Sequence, residues 1–145
     1  MDRVELAKNL FADGLNCSQA VVLAFKDILD VSEDVLKKSS IPFGGGLGRQ
    51  RLTCGAVSGM CMVLGLKLSD GKDKLKIYSI IQQACDEFKK ITGSIICGEL
   101  LGGVDGADKS PVPSERTAEY YKKRPCSEMC QIAVKITEKF LAENS

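Results

Sequence analysis

The chain has 145 residues, with 20 basic and 19 acidic side chains, seven cysteines and no histidine. A net charge of +1, with no run of five like charges, supplies neither a long-range field nor a local patch for nucleic acid. Without histidine there is no Ser-His or Cys-His dyad, no imidazole ligand for zinc or haem iron, and no Cys-x-x-Cys-His for c-type haem.

At this length one domain over residues 1–145 is expected. The opening residues mix charges without an apolar run, which reads as a chain lacking a secretory signal. With an odd number of cysteines this points to a reducing cytoplasm. A short helix is predicted over 3–13. From Cys17, the residues Ala20, Val21, Ala24 and Ile28 follow at helical spacing, with Gln19, Lys26 and Asp27 off the stripe. Asn16 caps this helix and Gln19 completes a capping box. Another short helix is predicted over 32–39.

Residues 41–51 form a glycine-rich loop. No strand precedes it, its glycines do not fit G-x-G-x-x-G, and no Gly-Lys-Ser/Thr follows, so it reads as a tight connection rather than a phosphate cradle. The most apolar stretch, 52–68, contains Thr53, Ser58, Lys67 and three glycines. It is too short and too polar to span a membrane and reads as a buried central helix capped by Thr53. Gly55 and Gly59, four residues apart, would let another helix approach closely, at a propensity cost of about 1 kcal/mol each.

Residues 70–92 repeat the helical pattern through Leu75, Tyr78, Ile81, Cys85, Phe88 and Ile91, and Gly93 stops the helix. A short apolar segment, Cys97–Leu101, leads into a turn-rich connection through Gly102, Gly106, Pro111 and Pro113. A helix is predicted over 114–123. The last, 126–142, carries Met129, Ala133, Ile136 and Phe140 on one stripe. No alternating β-branched run appears, so no sheet is expected. The fold class is all-α, a helical bundle of about five to seven helices.

Four cysteines share a position. Cys17, Cys54, Cys97 and Cys126 all stand at predicted helix starts, where unpaired N–H groups and the macrodipole favour a thiolate. Arg49 and Arg51 near Cys54, and Lys122, Lys123 and Arg124 near Cys126, would act in the same direction. Cys54 is therefore expected to be the most reactive. Cys85 and Cys61 read as core thiols. Cys130, one turn from Cys126, is either a core thiol or an auxiliary partner. No Cys-x-x-Cys is present, which removes the thioredoxin-type motif and the usual zinc ribbon. Any site must be assembled from separate helices. Two outcomes are open: thiols that exchange with disulfides, or four thiolates holding zinc or an iron–sulfur centre.

Asn16-Cys17-Ser18-Gln19-Ala20-Val21, the loop running into Cys54-Gly55-Ala56-Val57-Ser58-Gly59, the Cys97-Gly-Glu-Leu-Leu-Gly segment and Arg124-Pro125-Cys126 together resemble the redox-active protein family named for its C_GCAxxG_C_C pattern. The resemblance spans nearly the whole chain. It departs in one place: the family's name puts glycine before the second cysteine, whereas here Cys54 precedes Gly55. The resemblance implies a small all-helical cytoplasmic protein of prokaryotic type, redox-active through Cys17, Cys54, Cys97 and Cys126, and often encoded near transporter genes. Some relatives resemble split-Soret cytochromes, but haem does not carry over to a chain without histidine.

The expected function is redox chemistry through these four cysteines with an unidentified redox partner. The alternatives are a non-enzymatic domain whose four cysteines hold a structural metal, and a homo-oligomeric interaction module with incidental thiols. A cysteine hydrolase is the weakest reading, for want of a histidine base.

Overall fold

The computed structural model describes residues 2–144. The first helix, α1 (Arg3–Ala12), is capped by Asp2, whose carboxylate accepts from the Glu5 N–H at 2.7 Å. Helix α2 (Cys17–Leu23) carries the capping box expected from Asn16 and Gln19. It is shorter than its apolar spacing suggests, since Ala24 is already its C-cap and Ile28 lies beyond it. All seven of its residues are buried, Gln19 included. A helix enclosed on every side shows no stripe. Ser32 caps α3 (Glu33–Ser40), a 3-10 turn follows at Ile41–Phe43, and α4 (Gly44–Leu47) is one tight turn whose Gly45 and Gly46 are left-handed.

The apolar segment forms α5 (Gly55–Leu68), buried along its first turns. Its glycines are where they must be. A Cβ on Gly59 would lie 2.8 Å from the Ser18 carbonyl, and one on Gly55 would collide with the Cys17 sulfur, so both let α5 lie directly on α2. Next come α6 (Lys74–Thr92), α7 (Cys97–Leu101), α8 (Gly103–Ala107), α9 (Ala118–Lys123) and α10 (Cys126–Glu143). Helices α1, α2, α5 and α10 pack on one another, and α6 closes the side formed by α5 and α10. Phe25, Met60, Leu64, Phe88 and Val134 fill the core.

Helical segments outnumber the prediction because α4, α7, α8 and α9 are only four to six residues long and fall within stretches read partly as loops. The predicted helix over 114–123 begins instead at Ala118, where the Thr117 side chain provides the cap. No strand is present among the described residues; one antiparallel bridge joins Thr53 to Ile96. The stripe on α10 is as expected, with Met129, Ala133, Ile136 and Phe140 all buried. The stripe on α6 is not. Its buried residues are Ile80, Ala84 and Phe88, while Leu75, Tyr78 and Ile91 are exposed. Apolar residues lie on more than one face of α6, and packing against α5 and α10 selected the face through Ala84. Among the described residues no helix is long and apolar enough to cross a membrane.

Candidate functional site

Each of the four cysteines stands at a helix start. Cys17, Cys97 and Cys126 open α2, α7 and α10. Cys54 itself occupies the cap position of α5, displacing Thr53 from the role expected of it. Thr53 is held instead in the bridge to Ile96. Around that bridge the Cys54 N–H donates to the Ile95 carbonyl at 2.7 Å and the Cys97 N–H donates to the Leu52 carbonyl at 2.6 Å. Two cysteines 43 residues apart are thereby set on neighbouring strands of backbone.

The glycine-rich loop wraps this arrangement. A Cβ on Gly46 would sit 2.8 Å from the Cys97 Cβ, and the Gly45 backbone lies close enough to the Cys17 sulfur to oppose the effect of its burial. Three residues other than glycine, Leu47, Arg49 and Arg51, also have φ between 63° and 67°. Such conformations are uncommon outside glycine and cluster where surrounding structure enforces them. Here the enforcing bonds run from Arg51 N–H to the Gly45 carbonyl and from Leu52 N–H to the Gly46 carbonyl.

The four cysteines line one cavity of about 550 Å³. Arg49, Arg51, Arg116 and Arg124 line it too, while among the described residues no aspartate or glutamate does. Arg51 is 5% exposed; its Nη1 donates to the Cys97 sulfur at 3.7 Å, its Nε to the Asp108 carbonyl at 2.8 Å, and its Nη2 is buried without a partner. Arg116 donates to the Phe11 and Leu15 carbonyls at 2.7 and 2.8 Å and lies over the Phe11 ring. It fastens the loop before α9 onto α1, a role with no signature in the sequence.

The expected electrostatics are reversed for three of the four thiols. Burial pushes Cys17, Cys54 and Cys126 up, Cys126 to about 12, and neighbouring sulfurs add to the effect. Magnitudes explain the outcome. A helix N-terminus is worth about 0.3–1 kcal/mol, less than one pKa unit, whereas full burial shifts a group by up to roughly 3–5 units. Arg49 and Arg51 do not serve Cys54: Arg49 pairs with Asp108 and Ser114, and Arg51 reaches Cys97. Lys123 pairs with Glu119, leaving Arg124 and Arg116 as the cations that oppose burial at Cys126. Burial thus works against the activation expected of Cys54. Cys130 is fully buried, with its thiol directed at the Cys17 carbonyl at 3.7 Å, which resolves it as a core residue beneath the cavity.

These raised values carry a pH dependence with a definite sign. Unfolded thiols ionise near 9 while folded Cys126 keeps its proton to about 12, so in that range the unfolded chain binds fewer protons and stability falls as pH rises. Urea midpoints measured from neutral pH upward should be level at first and decline above pH 9, less steeply for Cys126→Ser. Identical declines in the two proteins would refute this account.

Among the described residues no group of three or more His, Cys, Asp or Glu side chains could hold a metal ion. The two cysteines expected in the core, Cys61 on α5 and Cys85 on α6, pack against it, are both partly exposed, and line a second cavity together.

The fold and site define a class: an all-helical chain that gathers thiols from separate helix starts around an arginine-lined cavity. The chain belongs to the family described as Putative redox-active protein (C_GCAxxG_C_C), which matches residues 15–140. No curated protein and no solved structure matches the chain.

Proposed function

We propose that the cleft carries out thiol–disulfide exchange, with Cys97 as the attacking sulfur and Cys17 as the resolving one, while Cys54 and Cys126 complete the thiol set. The observation that carries this reading is the Arg51 guanidinium donating to the Cys97 sulfur. It offers a sulfur anion a fixed counter-charge inside the fold. Cys17, the more buried of the two sulfurs that feel the charge of Cys97, the other being Cys126, is taken as its partner.

In the first step the Cys97 thiolate attacks one sulfur of a disulfide RS–SR, the S–S bond breaks, and RS⁻ leaves to be protonated. In the second, Cys17 loses its proton and attacks the mixed disulfide, forming Cys17–Cys97 and releasing the other RS⁻. Two protein thiols are oxidised and one disulfide is reduced to two thiols. A cytoplasmic setting would keep the resting protein in the dithiol form. The four-arginine lining favours a disulfide that carries negative charge.

The test is peptide mapping after anaerobic purification, metal analysis and titration with oxidised glutathione. A Cys17–Cys97 disulfide with loss of two hydrogens is expected. A preparation in which the four thiols stay free under that oxidant, or carry stoichiometric zinc or iron, would overturn the proposal.

A further inference from the structure

Outside the cationic cleft, the feature that carries an inference is the second cavity, about 500 Å³, between α5 and α6. It shares no lining residue with the first. Its walls include Val57, Met62, Thr53 and Ile95 and hold no charged side chain. Two cysteines face this space from different helices, Cys61 from α5 and Cys85 from α6. Both are partly exposed, unlike the fully buried Cys130. Both pack against the edge of the core without being enclosed by it, and on α6 the buried face runs beside Cys85, through Ile80, Ala84 and Phe88.

We propose that Cys61 and Cys85 form a second dithiol–disulfide couple, separate from the four signature cysteines, which reacts with small uncharged disulfides entering the groove between α5 and α6. The two cysteines already line one space from helices that pack on each other, so pairing them asks for little rearrangement. Of the two neighbouring thiols Cys61 keeps its proton, and its proximity holds Cys85 below the ordinary thiol value against the opposing effects of burial and of the Asp86 charge. Cys85 is therefore the attacking sulfur and Cys61 the resolving one.

The electrons balance as in any dithiol exchange. The Cys85 thiolate displaces RS⁻ from RS–SR, Cys61 gives up its proton and attacks the mixed disulfide, and the second RS⁻ departs. Thr53 and Ile95 line this groove and also flank the backbone bonds that position Cys54 and Cys97. Oxidation at Cys61 and Cys85 would thus tie α5 to α6 directly behind the bridge supporting the first site.

The experiment uses the full chain with 2-hydroxyethyl disulfide as the neutral probe and peptide mapping as the readout. A Cys61–Cys85 crosslink with loss of two hydrogens is expected, and it should persist when Cys17 and Cys97 are both replaced by serine. In Cys61→Ser a mixed disulfide should accumulate on Cys85; in Cys85→Ser the modification of Cys61 should be largely lost. Because Cys61 and Cys85 are mapped in the unaltered protein as well, a misfolded double variant does not obscure the result. Mixed disulfides on both cysteines of the unaltered protein that never resolve into a crosslink would overturn the proposal, and so would equal modification in the two single variants.

Discussion

Gly46→Ala is expected to lower stability by about 2–5 kcal/mol, the sum of a left-handed penalty near 1–2 and overpacking near 1–3. Gly46 has φ +75°, and a Cβ there would lie 2.5 Å from the Leu52 nitrogen, 2.8 Å from the Arg51 carbonyl carbon and 2.8 Å from the Cys97 Cβ. None of these is the free end of a flexible side chain. Relief requires moving the 51–54 segment, which is hydrogen-bonded to 95–98, so Cys54 and Cys97 shift with it. Gly48→Ala is the internal control, since φ is +61° there but nothing lies within 4 Å. It should show the conformational penalty alone. Urea unfolding of the two variants, with counting of reactive thiols in the folded state, separates the terms. Equal midpoints would show that the close approach of Gly46 to Cys97 contributes nothing.

Replacing Arg51 by glutamine is expected to slow modification of Cys97 by about 10- to 100-fold, because a hydrogen bond to a charged group is worth roughly 1.5–3 kcal/mol. The guanidinium is the donor to the Cys97 sulfur, and glutamine removes its fixed charge. Arg51→Lys should recover part of the rate, since lysine restores the charge without the planar fork. The variant also disturbs the bond to the Asp108 carbonyl, so a general loosening of the cleft has to be distinguished. Peptide-resolved alkylation at one pH does this. A positioning role at Cys97 slows that cysteine selectively, whereas uniform acceleration at Cys17, Cys54 and Cys97 would mean that Arg51 only holds the site together. The main-chain geometry favours the selective outcome. Arg51 has φ 63°, an unfavourable conformation for a bulky residue, kept by two backbone bonds that aim its side chain inward.

Local features were legible from residues alone. Asn16 and Gln19 form their capping box, Gly93 ends α6 with φ 97°, and α10 buries the stripe that its spacing announces. Such features depend on atoms within a turn or two of one another, and the sequence lists those neighbours. The placement of four cysteines at helix starts was legible for the same reason. The glycine spacing of α5 also pointed correctly to a close helix approach, although only the fold identified α2 and the Cys17 sulfur as what lies against it.

Quantities set by distant neighbours were not legible. Which face of α6 is buried depended on α5 and α10, because its apolar residues offered more than one choice. The sign of the thiol shifts depended on burial, a property of the whole packing that outweighs any single helix end. The partners of Arg51, the fastening role of Arg116 and the meeting of Cys61 with Cys85 all join residues 24 or more positions apart.

The opening counts of cysteine, histidine and charge, with the local spacing, by themselves determined that this is an all-helical, sulfur-bearing domain with thiols at its helix starts. Only the tertiary structure decided which thiol has a counter-charge, which are silenced by burial, and which two form a separate pair. The reason is physical: helix formation and capping are short-range, whereas desolvation and ion pairing are fixed only when separate segments of the chain enclose the same space.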